Sequence, residues 1–232
     1  MKKTSAEQNI YDGLALIADP IHQYILFTVP KDKSAKSAGE ITEQHIIDSP
    51  WMQRLRRIYQ LQSARWVYPA AEHSRFQHSL GTMHMAGEFA KSIYPSLSSV
   101  CKDVPSCHYV EELLRLAGLL HDVGHGPFGH FFDDNFLSNW NLTHEIVGQN
   151  IIVDKLGDDL ARIRRSPSGG FLRAEKMDAR KVAYLIRMPE DGEEGLPPRW
   201  LQMLRQLFSG VYTADNLDYV QRDAYMTGFS LD

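Results

Sequence analysis

A helical stretch over residues 110–122 ends in the run His121-Asp122-Val123-Gly124-His125-Gly126-Pro127-Phe128-Gly129-His130. Leu113, Leu114, Ala117 and Leu120 recur at helical spacing on one face, and Glu111, Glu112 and Arg115 take the other. Three imidazoles and a carboxylate therefore sit at the end of a helix apolar enough to be buried. Each of those groups needs a polar partner once it leaves water, so a core gains nothing from them. Adjacent histidine and aspartate offer a divalent ion two unlike ligand atoms at almost one backbone position. Two further histidines face the same volume from a glycine-rich turn.

The rest of the chain fits around a helix of that kind. Residues 21–29 mix β-branched and aromatic side chains and predict a short strand or hairpin. Residues 31–39 (KDKSAKSAG) read as an exposed basic loop. From Thr42 helical signals dominate. Ser49-Pro50 starts a helix with proline in its first turn, followed by an apolar stripe of Leu55, Ile58 and Tyr59. Residues 79–93 carry Met83, Ala86 and Ala90 at helical spacing, with Pro95 just past the end. Thr143 caps a helix from about His144 to Leu156, with Glu145 in its first turn where the helix dipole favours a carboxylate. Residues 164–170 and 189–198 read as loops, a helix follows from about Pro198, and another begins over 215–225. With no repeat and no long linker, the expectation is an all-α single domain over 1–232 with a small N-terminal β-hairpin or strand.

Composition bounds the function. The 232 residues carry a net charge of −4, which argues against a broad basic face for duplex nucleic acid or a single-strand groove. The polar start and the absence of an apolar run near the ~18 residues of a membrane span predict a cytoplasmic protein with no membrane partner. Cys101 and Cys107 are the two cysteines and read as reduced thiols.

Two more words matter: Arg75-Phe76-Gln77-His78-Ser79-Leu80-Gly81 upstream and Asp215-Asn216-Leu217-Asp218-Tyr219-Val220-Gln221-Arg222-Asp223 downstream. His78, His121, Asp122 and Asp215 then give two imidazoles and two carboxylates from three segments. This mixed set suits Mn, Fe, Co, Ni or Zn better than Mg or Ca, with positions left open for water and substrate. The order H…HD…D resembles the signature of the HD-domain metal-dependent phosphohydrolases. RFQHSLG, HDVGHGPFGH and DNLDYVQRDAY, with DPIH at residues 19–22 and QRLR at 53–56, are similar to the branch holding the deoxynucleoside triphosphate triphosphohydrolases.

That resemblance implies a helical fold with the ion at its centre. It also implies hydrolysis of a dNTP to deoxynucleoside and inorganic triphosphate, with Mg alongside the nucleotide, and a homo-oligomer. By the same resemblance His125 and His130 contact phosphate, with Asp133 orienting His130 for proton transfer, since residues three apart share a helical face. The His144-Glu145 word joins the catalytic residues, His144 as candidate general acid. Arg75 grips phosphate, Tyr219 and Asp223 read the sugar, and Gln60 and Leu61 line its side. Asn216 takes the place where vertebrate-type members carry a phosphate-binding lysine. Members usually continue past the last word with more helices, so a chain ending at Asp232 is expected to be truncated or minimal, with no allosteric nucleotide site assumed.

Other residues receive structural readings. His22, His45, His84 and His108 lack neighbouring ligands, and His73 is intermediate. Arg164-Arg165 reads as a solvated charge pair, and Phe128, Phe131 and Phe132 as packing around the turn. The rival functions are another HD phosphohydrolase (a nucleotidase, phosphodiesterase or single-strand nuclease) and a nucleotide-binding regulatory module.

Overall fold

A computed structural model describes residues 12–31, 39–187 and 197–229. Its elements are the hairpin β1 (Leu14–Asp19) and β2 (Gln23–Thr28), then α1 (Glu43–Ile47), α2 (Pro50–Gln53), α3 (Arg75–Val100), α4 (Cys107–Leu120), α5 (His130–Asn135), α6 (His144–Asn150), α7 (Gly157–Leu160), the short pair β3 (Arg165–Ser166) and β4 (Gly169–Gly170), α8 (Ala179–Ile186), α9 (Arg199–Arg205) and α10 (Ala214–Thr227). The molecule is mostly helical with a small N-terminal hairpin, as expected. Most of the 31–39 and 189–198 stretches lies outside the described residues. Among the described residues no helix is long and apolar enough to cross a membrane. Cys101 is buried, Cys107 exposed, and both are free thiols.

α3 and α4 form the centre. Gly118 lies against the Thr82 backbone and Arg115 against Gly87, so the two helices run antiparallel. α4 is buried on every side, which corrects the amphipathic reading: Glu111, Glu112 and Arg115 are all at most 3% exposed. The hairpin covers the face expected to meet water. Arg115 Nε donates to Glu43 Oε1 at 2.6 Å and its Nη2 to the Leu26 carbonyl at 2.7 Å. Glu43 Oε2 accepts from the Thr28 N–H at 2.8 Å, and Thr28 Oγ1 from the Glu43 N–H at 2.9 Å. Arg165 is no solvated charge either. Its Nε donates to Glu40 at 2.8 Å and its Nη1 to the Gly13 carbonyl at 3.0 Å.

Several boundaries differ from expectation. β1 precedes the stretch in which a strand was expected and pairs antiparallel with β2, Leu14 opposite Thr28 and Asp19 opposite Gln23. Ser49 caps α2 through Met52, but the helix tightens to a 3₁₀ turn over Arg54–Arg57 and Ile58 is extended, so no helical stripe continues to Tyr59. α3 runs through Pro95. The carbonyl that proline leaves unpaired belongs to Lys91, and both residues face solvent, so the lost bond is not buried. α6 is capped by Thr143 Oγ1 on Ile146 N at 3.3 Å and widens into a π-type turn at Ile151–Lys155. β3 and β4 occupy the expected 164–170 loop, and α8 was not anticipated.

Glu112 gives the core a pH-dependent weakness. Neither carboxylate oxygen has a hydrogen-bond partner among the described residues. Burial and the charge of Glu43 raise its pKa well above the usual range, against the pull of Arg115. The folded state thus keeps a proton that the unfolded chain loses above about pH 4.3, and stability falls as pH rises from there. Glu112→Gln is expected to raise the melting temperature slightly at about pH 4.5 and more at about pH 8. Melts of both proteins at the two pH values check this, and an equal gain at both would refute it.

Candidate metal centre

Three elements converge. α3 brings His78, the turn leaving α4 brings His121 and Asp122, and the first turn of α10 brings Asp215. His78 Nε2 lies 2.9 Å from Asp215 Oδ1 and 3.2 Å from His121 Nε2. His121 Nε2 lies 3.7 Å from Asp215 Oδ1 and 3.5 Å from Asp122 Oδ1, and Asp122 Oδ2 is 4.0 Å from His78 Nε2. The other nitrogen of each ring is already engaged. His78 Nδ1 meets Asp218 Oδ2 at 2.8 Å and His121 Nδ1 the Gly118 carbonyl at 2.7 Å. Both Nε2 atoms are therefore turned toward one point, and two acceptors cannot satisfy each other.

One positive charge must sit among these atoms, as a proton or an ion. Burial disfavours the imidazolium of His78, yet its bonds to Asp215 and Asp218 and the charge of Asp122 raise its pKa to about 10. Burial would likewise raise Asp122, but His121 and Arg75 hold it well below the usual carboxylate range. Imidazoles anchored by a carboxylate and a carbonyl, facing two carboxylates, are the donor set a divalent transition metal takes. The residues fit such an ion.

These groups line one side of a cavity of about 470 Å³. Gln60, Arg75, His125, His130, His144, Glu145, Tyr219 and Asp223 also line it, as anticipated, together with Gln62, Ile186 and Phe208, which were not singled out. Arg75 Nη1 donates to Asp122 Oδ2 at 2.7 Å. Its N–H bonds the Ile58 carbonyl at 2.8 Å, and Gln60 N–H bonds the His73 carbonyl at 3.1 Å, so the 58–60 segment is laced to the start of α3. Leu61 and Asn216 do not line the cavity. The Leu61 carbonyl closes a turn onto Ala64 N at 2.8 Å, and Asn216 Nδ2 turns back to the Val211 carbonyl at 2.9 Å.

The turn between α4 and α5 is held from outside. Arg54 donates to the carbonyls of Val123 and His125. With its amide oriented to satisfy both partners, Gln62 donates to the Phe128 carbonyl at 3.1 Å and accepts from His130 N–H at 3.2 Å. Phe132 stacks on Phe136, but Phe128 and Phe131 are about 60% exposed rather than packed.

Asp133 does not chiefly orient His130. Its Oδ2 hydrogen-bonds His144 Nδ1, while His130 Nδ1 is 3.8 Å away on a side chain 62% exposed. α5 begins at His130, whose exposed ring still borders the cavity with its centroid 5.1 Å from that of His144, whereas Asp133 faces the start of α6. His125 stacks on His144 with centroids 3.7 Å apart and planes at 13°. Its Nε2 lies 3.3 Å from Asp122 Oδ1, and burial lowers its pKa to about 4. His125, His130, Asp133 and His144 each bring one ligand atom within 4.8 Å of the others, so this cluster is a second place that could hold a cation. His73, given an intermediate reading, bonds Asp223 Oδ1 through Nε2 at 2.6 Å. His22, read as structural, reaches Asp218.

The HD domain profile matches residues 75–203, more than half of the chain. Over 215 residues the chain is 34% identical to the uncharacterized protein YwfO of Bacillus subtilis, covering 91% of this chain and 40% of YwfO. Over 150 residues it is 43% identical to the deoxynucleoside triphosphate triphosphohydrolase SAMHD1 of Danio rerio, covering 63% of this chain and 21% of SAMHD1. A solved structure of a hypothetical protein from Aquifex aeolicus is similar with a TM-score of 0.64 at 27% identity, over 94% of this chain and 48% of that one. The chain thus spans less than half the length of each of these relatives.

Proposed function

Because the chain belongs to the HD-domain family, we propose that it is a metal-dependent phosphohydrolase whose substrate is a deoxynucleoside triphosphate, cleaved to deoxynucleoside and inorganic triphosphate. The observation that carries this reading is the convergence of His78 Nε2, His121 Nε2 and the Asp215 carboxylate, with both Nδ1 atoms engaged elsewhere. SAMHD1, a dNTP triphosphohydrolase by name, supports the finer substrate class.

His78, His121, Asp122 and Asp215 would hold the ion, which supplies positive charge for phosphoryl oxygens and a nucleophilic water near neutral pH. Arg75 stands at the edge of this set with its guanidinium on Asp122, placed to take phosphate oxygens as charge builds on them. His125, uncharged near neutral pH, contributes a hydrogen bond rather than a charge. Asp133 engages His144 Nδ1 and leaves Nε2 for the cavity, where a protonated imidazole can deliver a proton to the departing sugar oxygen. Tyr219, Asp223 and Gln60 also line the cavity and would take the sugar.

Purified protein with Mn²⁺ is expected to release inorganic triphosphate from at least one dNTP. Release of monophosphate or pyrophosphate instead would overturn the triphosphohydrolase assignment, and cleavage of single-stranded DNA alone would favour a nuclease. Asp133→Asn is expected to lower kcat by about 10²-fold with little change in KM, because His144 loses the carboxylate that orients its ring and fixes its tautomer. His130→Ala is expected to cost less than Asp133→Asn. Steady-state kinetics check the order, and the reverse order would return Asp133 to His130.

A further inference from the structure

Behind the metal-facing edge of His78 lies a buried relay that touches neither the cavity nor the ion's position. Asp218 is fully buried, and both its oxygens are shared among three partners. Oδ2 takes His78 Nδ1 at 2.8 Å and Arg222 Nε at 2.9 Å, while Oδ1 takes His22 Nε2 at 2.7 Å and Arg222 Nη2 at 2.7 Å. Arg222, also fully buried, spans to Asp19, Nη1 meeting Oδ2 at 2.8 Å and Nη2 meeting Oδ1 at 3.3 Å. Asp19 Oδ1 in turn accepts the N–H groups of Ile21 and His22 at 2.9 and 3.0 Å, which shapes the hairpin turn and aims the His22 ring. The approach is tight: a Cβ on Gly81 of α3 would overlap Asp218 Oδ1.

The relay therefore joins the β1–β2 turn, α3 and α10. Two of these also carry ligands. His78 is bonded to the relay directly, and Asp215 sits one helical turn before Asp218 on α10. Fixing Asp218 against His78 thus fixes Asp215 against His78 as well. With Arg222 offset by one carboxylate, one negative charge remains behind the His78 ring, and it favours a cation on the far side. Carboxylates in this position hold a ligating ring in one tautomer and raise its basicity.

Resting on the reading that His78 ligates the ion, we infer that Asp19 and His22 of the hairpin turn, with Asp218 and Arg222 of α10, are positioning residues that set the affinity and geometry of the metal centre. The hairpin is then a working part of the site, although no atom of it lines the cavity.

Metal binding tests this without reference to turnover. Co²⁺ is titrated into the full chain, with affinity from chelator competition and ligand geometry from the visible spectrum. Wild type is expected to bind and His78→Ala to lose binding. Asp218→Asn is expected to weaken Co²⁺ by about 10- to 100-fold and His22→Ala by about 10-fold, each with an altered spectrum. His22→Gln, which restores a donor toward Asp218, is expected to recover part of the affinity. If Asp218→Asn does not fold, His22→Ala and its rescue decide. Folded His22→Ala with wild-type affinity and spectrum would overturn the inference while leaving the metal centre standing. Failure of wild type to bind Co²⁺ would overturn the metal centre and the inference with it.

Discussion

Replacing His121 and Asp122 together with alanine is expected to remove bound metal and lower phosphohydrolase activity by at least about 10³-fold, the equivalent of several kcal/mol of transition-state stabilisation. Two of the four proposed ligands disappear, and those that remain, His78 Nε2 and Asp215 Oδ1, already lie 2.9 Å apart and pair with each other. Asp122 has a second duty. Its Oδ2 meets Arg75 Nη1 at 2.7 Å with both side chains buried, so its loss strands a buried guanidinium, which costs on the order of 3–5 kcal/mol. The double variant is therefore expected to melt earlier as well as to lose metal. His121→Gln separates the two effects, since it leaves Arg75 paired and removes only an imidazole. Metal content per chain, the melting temperature and phosphate release, measured on the same preparations, check the result. Full activity in a metal-depleted variant would sink the proposed mechanism.

Gly124→Ala is expected to do the reverse, losing catalysis while keeping metal. A Cβ at this position would overlap the His144 carbonyl oxygen and stand 2.5 Å from the Gly148 nitrogen, both backbone atoms of α6. The turn is pinned by Arg54, so α6 is the part that must yield, and such overpacking costs about 3 kcal/mol. For a chain of this size that lowers the melting temperature by roughly 6–12 °C. α6 carries His144 but none of the four proposed ligands. A displacement near 1 Å breaks the His144 contacts to Asp133 and His125 and lowers kcat by about 10²-fold. Co²⁺ affinity near the wild-type value in folded Gly124→Ala, with kcat reduced, is the expected pattern. Unchanged kcat would show that α6 does not position a catalytic group.

The helical class, an N-terminal strand or hairpin, the helix start at Ser49-Pro50 and the cap at Thr143 were legible because their signals are local, although β1 lies before the expected stretch. The four proposed metal ligands were legible for another reason: His121-Asp122 is adjacent, and the flanking words resemble a known order. Long-range partners left no local trace. His22 reads as an isolated histidine because its acceptor, Asp218, is 196 residues away. Glu111, Glu112 and Arg115 sit where a helical wheel puts solvent, and periodicity cannot say that a hairpin will cover that face. The i,i+3 spacing of His130 and Asp133 suggested a pair, but it assumed a helix already under way, whereas α5 starts at His130. α8 was missed because Lys176, Asp178, Arg180 and Lys181 mask the buried stripe of Val182, Ala183 and Leu185.

The hairpin's bond to the last helix also has a consequence for how the molecule is made. Arg222 and Asp19 are 203 positions apart, so this contact closes nearly the whole described chain into one loop. Contacts of such separation form late, after local helices and the α3–α4 pair are in place. During synthesis the N-terminal turn leaves the ribosome long before its partner exists, and His78 waits with a free Nδ1 until α10 emerges. A nascent chain halted before residue 215 would lack both the Asp215 carboxylate and the Asp218 acceptor of His78, however well its central helices had packed.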